Sequence, residues 1–105
     1  MNNSVYLLYK NEPMGELIKD TNGYKFRYLP EYKGKRLIVF PEDKEYHHKT
    51  LFPIFSCRLP YERRPDIQDI LEEYGMTEYD EFELLKRSGA KLPTDDFEFI
   101  EKETQ

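Results

Sequence analysis

The chain has 105 residues, enough for one domain with one modest core. Its charge is split: residues 1–64 carry twelve Lys/Arg against eight Asp/Glu, a net of +4, while residues 65–105 carry four against thirteen, a net of −9. The acidic half argues against wrapping a nucleic-acid backbone, no stretch approaches the ~20 apolar residues of a membrane helix, and the single cysteine, Cys57, excludes an internal disulfide.

Nine tyrosines and seven phenylalanines, with no tryptophan, let a small domain bury much area per residue. Phenol tips also suit a surface that meets another protein. The apolar run Val5–Tyr9 is too short for a signal peptide, so the expectation is a soluble, cytoplasmic protein.

Val5-Tyr6-Leu7-Leu8-Tyr9 reads as a first strand, apolar on both faces and therefore expected to be covered on both sides. Lys10-Asn11-Glu12-Pro13 is turn chemistry, and Met14 to Asp20 returns as a second strand. Asp20-Thr21-Asn22-Gly23 predicts a tight hairpin of type I′, because Asn-Gly tolerates positive φ. Tyr24, Phe26 and Tyr28 alternate with Lys25 and Arg27, a third strand with one aromatic and one wet face. After a loop from Leu29 to Arg36, Leu37-Ile38-Val39-Phe40 predicts a fourth, buried strand ended by Pro41. Glu42 to Thr50 reads as an exposed loop, and Leu51 to Phe55, interrupted by Pro53, as an edge strand or an irregular packed segment.

Pro65 suits the first position of a helix whose Ile67, Ile70, Leu71 and Tyr74 share one face and which Gly75 ends. Thr77 is placed to cap a second helix with Phe82 and Leu85 on one face, Lys86 and Arg87 at its negative end, and Gly89 as terminator. Leu92-Pro93-Thr94 turns the chain into a last strand bearing Phe97 and Phe99, and residues 101–105 read as a frayed tail. The fold class is α+β: a small antiparallel sheet, a hairpin meander plus returning strands, packed with two short C-terminal helices. One domain spans residues 1–105.

Catalytic chemistry finds no footing. The five glycines are scattered among turns and helix ends, whereas a phosphate-cradling loop needs them clustered. The pair His47-His48 brings no further ligand at usable spacing, so neither a metal nor a cofactor is expected. Cys57 lacks a base and an orienting third group, which favours a buried, inert thiol beside Phe55 and Leu59. The segment Phe52–Arg64 differs. It combines Phe52, Phe55 and Tyr61 with Arg58, Arg63 and Arg64, stiffened by Pro53 and Pro60. Aromatics and arginines on a pre-organised segment match the composition of interface hot spots, so these six residues are the candidate partner-binding set. For Phe52 and Phe55 a place in the core weighs equally.

Several pieces carry a family resemblance by their order: Met14-Gly15-Glu16-Leu17, Gly23-Tyr24-Lys25-Phe26-Arg27-Tyr28, Pro30-Glu31-Tyr32, Phe52-Pro53-Ile54-Phe55, Arg64-Pro65-Asp66-Ile67, Tyr79 to Leu85 and Leu92-Pro93-Thr94-Asp95. Together they resemble the N-terminal subdomain of the HipA family of bacterial kinase toxins. In some bacteria the arrangement is split among three proteins. A short HipS-like protein resembles this subdomain, a HipT-like protein is the serine/threonine kinase, and a HipB-like protein binds operator DNA. The resemblance implies a non-catalytic antitoxin whose partner is a HipT-like kinase toxin, with a HipB-like protein as a third member of the complex. The alternative it implies is a structural or assembly module of a HipA-like toxin, without inhibitory role. If inhibition places a bulky aromatic in the kinase cleft, Phe52, Phe55 or Tyr61 would have to serve.

Overall fold

The computed structural model describes residues 3–101. The architecture is α+β: a five-stranded antiparallel sheet and three short helices. The strands are β1 (Ser4–Tyr9), β2 (Glu12–Asp20), β3 (Gly23–Tyr28), β4 (Tyr46–His48) and β5 (Phe97–Glu101). The helices are α1 (Pro53–Ser56), α2 (Ile67–Glu73) and α3 (Glu81–Ser88). The sheet order is β4-β3-β2-β1-β5, so the last strand returns to lie beside the first. Apart from Glu101, which closes β5, the tail expected to fray lies outside the described residues.

The meander forms as its sequence suggests, with the turn types redistributed. The β1–β2 turn is the one with two left-handed residues, Lys10 (φ 50°) and Asn11 (φ 68°), between the paired Tyr9 and Glu12. Positive φ at both central positions is the type I′ signature, here at Lys-Asn instead of the expected Asn-Gly. In the β2–β3 hairpin Asp20 and Gly23 face each other across Thr21-Asn22, and the Asp20 carboxylate accepts the Asn22 N–H at 2.8 Å. Gly23 alone takes positive φ, 130°, and a Cβ there would run into the His48 carbonyl oxygen. The β1–β2 register shifts between Leu7 and Leu8, leaving Met14 as the extra residue of a bulge. Its carbonyl accepts the Leu29 N–H at 3.0 Å.

The core lies on one face of the sheet. Val5, Leu7, Leu17, Tyr24, Phe26, Tyr28 and Phe99 meet Phe55 of α1, Leu71 of α2, and Phe82 and Leu85 of α3. The intervening residues Tyr6, Leu8, Ile18 and Ile100 lie outside that cluster, on the other face. The helices therefore lie against one side of β1, while on the opposite side Leu8 is buried as well. On the open face Arg27 donates to Oε1 of the buried Glu16 through Nη2 (2.8 Å) and Nε (3.2 Å).

Four further expectations change. Leu37–Phe40 is a turn, not a strand: the Phe40 N–H bonds the Leu37 carbonyl at 3.0 Å, and Phe40 alone of the four is buried. Its ring stacks on Phe26 at 4.8 Å, and that one anchor turns the rest outward. Part of the expected 42–50 loop is β4, paired with β3 through Tyr24↔His48 and Phe26↔Tyr46. Tyr46 fixes it, with its ring 4.7 Å from Phe40 and its hydroxyl accepting the Glu42 N–H at 2.9 Å. Of the Leu51–Phe55 run, Leu51 and Phe52 stay irregular and buried while Pro53–Phe55 enter α1, because Pro53 fits a first helical position and Phe52 takes an extended N-cap geometry. In α3 the cap is Asp80, not Thr77: its carboxylate accepts the Glu83 N–H at 3.1 Å. Gly89, at φ 76°, ends α3 as expected.

Candidate partner-binding surface

The six residues singled out in the Phe52–Arg64 segment separate into three environments. Phe52 caps α1 and Phe55 lies within it, and both rings are buried among Phe26, Phe40 and Phe99. The core alternative is the one the structure adopts for them, since α1 turns both side chains toward the sheet. Neither ring offers a free surface.

Arg58 follows α1, and its side chain is only 8% exposed. Nε donates to the Ala90 carbonyl at 2.8 Å, and Nη2 to the Phe97 carbonyl at 3.2 Å. Nη1 and Nη2 also donate to the two oxygens of Asp95, at 2.7 and 2.9 Å. This fork holds the Asp95 carboxyl below its usual pKa. The guanidinium also lies 5.7 Å from the Phe97 ring centre. Arg58 is thus a clasp joining the end of α1, the turn after α3 and the outer edge of β5, where the Phe99 N–H also donates to the Gly89 carbonyl at 2.8 Å. The open edge of β5 is blunted by these contacts.

Tyr61, Arg63 and Arg64 are exposed. Tyr61 shows 69% of its surface and lines an open depression of about 530 Å³ with Lys19, Tyr24, Glu62, Tyr79 and Asp80. Burial pushes the Tyr24 phenol up to about 12, with Glu81 and Asp80 adding to the effect. Burial also raises Tyr79, whose hydroxyl donates to the Pro60 carbonyl at 2.7 Å. These phenols are hydrogen-bond donors at neutral pH. Arg64 forks onto Asp66 at 2.7 and 2.9 Å, and that bond lowers the carboxyl pKa of Asp66.

A second surface escaped the sequence reading. Ile38 is 93% and Val39 52% exposed on the Leu37–Phe40 turn. Beside it runs an apolar groove of about 300 Å³ lined by Leu37, Ile54, Cys57, Leu92 and Phe97. Cys57 is exposed in this groove, not buried, because α1 directs Phe55 inward and leaves Cys57 on the outside. The apolar run at 37–40 was the available signal. Its length does not distinguish a buried strand from a displayed turn.

Among the described residues no group of three or more His, Cys, Asp or Glu is arranged to hold a metal. His47 sits 3.4 Å from Glu45, and His48 shares Nδ1 with Thr50. No helix among the described residues is long and apolar enough to cross a membrane.

A five-stranded antiparallel sheet with three short helices defines a small α+β domain. The chain belongs to the HipA N-terminal domain family, which matches residues 5–93. Among solved structures it is similar to the N-terminal domain of HipA toxin, with a TM-score of 0.70 and 25% identity over 100% of this chain and 97% of that one. It is also similar to an uncharacterised protein of Haemophilus influenzae, at 41% identity over 51 residues. That match takes in 47% of this chain and 48% of the relative, so the two share about half their lengths.

Proposed function

We propose that this chain is a non-catalytic antitoxin that binds and neutralises a HipA- or HipT-like serine/threonine kinase toxin. The observation that carries the reading is the match to a HipA N-terminal domain along the whole chain. Such a domain beside a kinase that lacks one supplies a binding surface in trans. The exposed apolar and tyrosine-bearing surfaces support the same reading, as the chemistry of protein contact. A HipB-like DNA-binding protein completes the assembly. Of the three aromatics considered for a kinase cleft, Tyr61 has the accessible ring.

Co-expression with a HipA-type kinase lacking its own N-terminal domain tests the proposal, read as growth, co-purification and autophosphorylation. Restored growth with a stable complex and lowered autophosphorylation is expected. A complex that leaves growth arrested and autophosphorylation unchanged would favour the second reading, an assembly module without inhibitory role. The similarity to a domain of a toxin itself gives that reading its support.

A further inference from the structure

The Leu37–Phe40 turn is unusual in what it displays. Turns favour Gly, Pro, Asn, Asp and Ser, whereas this one presents Ile38 and Val39 to solvent at its two central positions. Local hydrogen bonding does not require that choice.

The tip is also held stiffly. The Tyr28 hydroxyl bridges its two ends, accepting the Leu37 N–H at 2.8 Å and donating to the Phe40 carbonyl at 2.5 Å. On one flank Arg36 forks onto Asp43 at 2.6 and 2.8 Å and bonds the Gly34 carbonyl at 2.7 Å. Arg36 also lies over the Tyr28 and Tyr32 rings, at 4.7 and 5.2 Å. On the other flank Phe40 is wedged among Phe26, Phe52 and Tyr46. A tip whose backbone is held in this way has less conformational freedom to lose on binding, a property that makes an anchor effective. Leu37 extends the apolar surface from the tip into the neighbouring groove.

Charge narrows the occupant. Within loop 33–43 Asp43 is taken up by Arg36, and Glu42 pairs with Lys44 at 3.5 Å. Lys33 also acts on Asp43, Lys35 has no carboxylate at ion-pair distance among the described residues, and the loop carries three cations against two carboxylates, so its surplus charge is positive. A complementary surface is an apolar pocket edged by carboxylates.

We propose that the Leu37–Phe40 tip, with the groove beside it, is the surface through which this chain docks on its kinase partner. The tip enters an apolar, carboxylate-edged pocket of that protein. The inference rests on the antitoxin reading above and places its principal contact away from Tyr61.

The test compares binding of the full chain and its variants to a purified HipA-type kinase core lacking its own N-terminal domain. Ile38→Asp is expected to weaken binding by about 30-fold or more while leaving the melting temperature unchanged, since hot-spot truncations reach that size and Ile38 supports no core. The Lys33→Glu, Lys35→Glu double variant is expected to weaken binding and flatten its salt dependence. Wild-type binding with an equally tight Ile38→Asp variant would overturn the inference and leave the antitoxin reading standing, as would loss confined to Tyr61→Ala. No binding by the wild-type chain would overturn both. Self-association that Ile38→Asp abolishes, with kinase binding unaltered, would assign the tip to a second copy and overturn the inference.

Discussion

Arg58 and Asp95, thirty-seven residues apart in sequence, meet through a two-pronged pair of hydrogen bonds of 2.7 and 2.9 Å. The pair ties the end of α1 to the turn that leads into β5. Because Arg58 also serves the Ala90 and Phe97 carbonyls, its removal leaves several groups without partners. Arg58→Ala is expected to cost about 3 kcal/mol, the range for hydrogen bonds to charged groups lost together. Arg58→Lys should recover only part of this, since an ammonium cannot reproduce the fork. Urea denaturation of the three proteins checks both statements.

The same pair predicts an acid response. The folded-state pKa of Asp95 is depressed by the Arg58 bond, so its contribution is present above the unfolded carboxyl pKa, ~3.9, and is lost as pH falls through the lower folded value. The stability gap between wild type and Asp95→Asn should be constant near neutrality and close below about pH 4. A gap that persists at low pH would assign the effect of the substitution to something other than the charge.

Helix α2 separates two adjacent apolar residues. Leu71 is 0% exposed, whereas Ile70 is only half-buried. Leu71→Ala is expected to destabilise by roughly 2–5 kcal/mol, and Ile70→Ala by clearly less. Thermal melts of the two variants, compared with wild type, decide the order.

Gly15 sits in β2 directly beneath Phe26. A Cβ at this position would come within 2.6 Å of the Phe26 ring and 2.8 Å of the Arg27 carbonyl oxygen. Gly15→Ala should therefore cost about 1–3 kcal/mol by overpacking, although alanine is otherwise harmless in a strand. Paired Gly15→Ala, Phe26→Leu should recover part of the loss if the ring is the obstacle.

Cys57 gives a chemical reporter for the groove. Its thiol is exposed on the native surface, so a thiol reagent should modify the folded chain without prior unfolding. Protection of Cys57 in the kinase complex is the outcome expected of groove docking; unchanged reactivity would place the contact elsewhere. Mass spectrometry after timed labelling measures the difference.

What the sequence conveys divides along distance. The β1–β2–β3 meander, the Gly89 terminator and the strand character of Phe97 and Phe99 are local patterns, carried by alternation and by residues with special backbone preferences. The role of Arg58 is not local: the carboxylate and carbonyls that occupy it come from residues 90–97, so an arginine near aromatics resembles an interface residue. Similarly, Leu37–Phe40 differs from a buried strand only because the Tyr28 hydroxyl and a space beside Phe26 capture its ends. β4 depends on Tyr46 meeting Phe40, a contact between two segments that each read as something else.

The placement of β1 between β2 and β5 has a consequence for how the molecule is made. Val5 pairs with Glu101, so β1 acquires its second neighbour only once residues 97–101 have been made. The β1–β2–β3 meander closes early, through short turns, while the β1–β5 pairing requires a long loop to close. A nascent chain that has not yet released residues 97–101 would present β1 as a bare edge with Phe99 absent from the core, and that interval is when strand exchange with another chain competes with completion of the sheet.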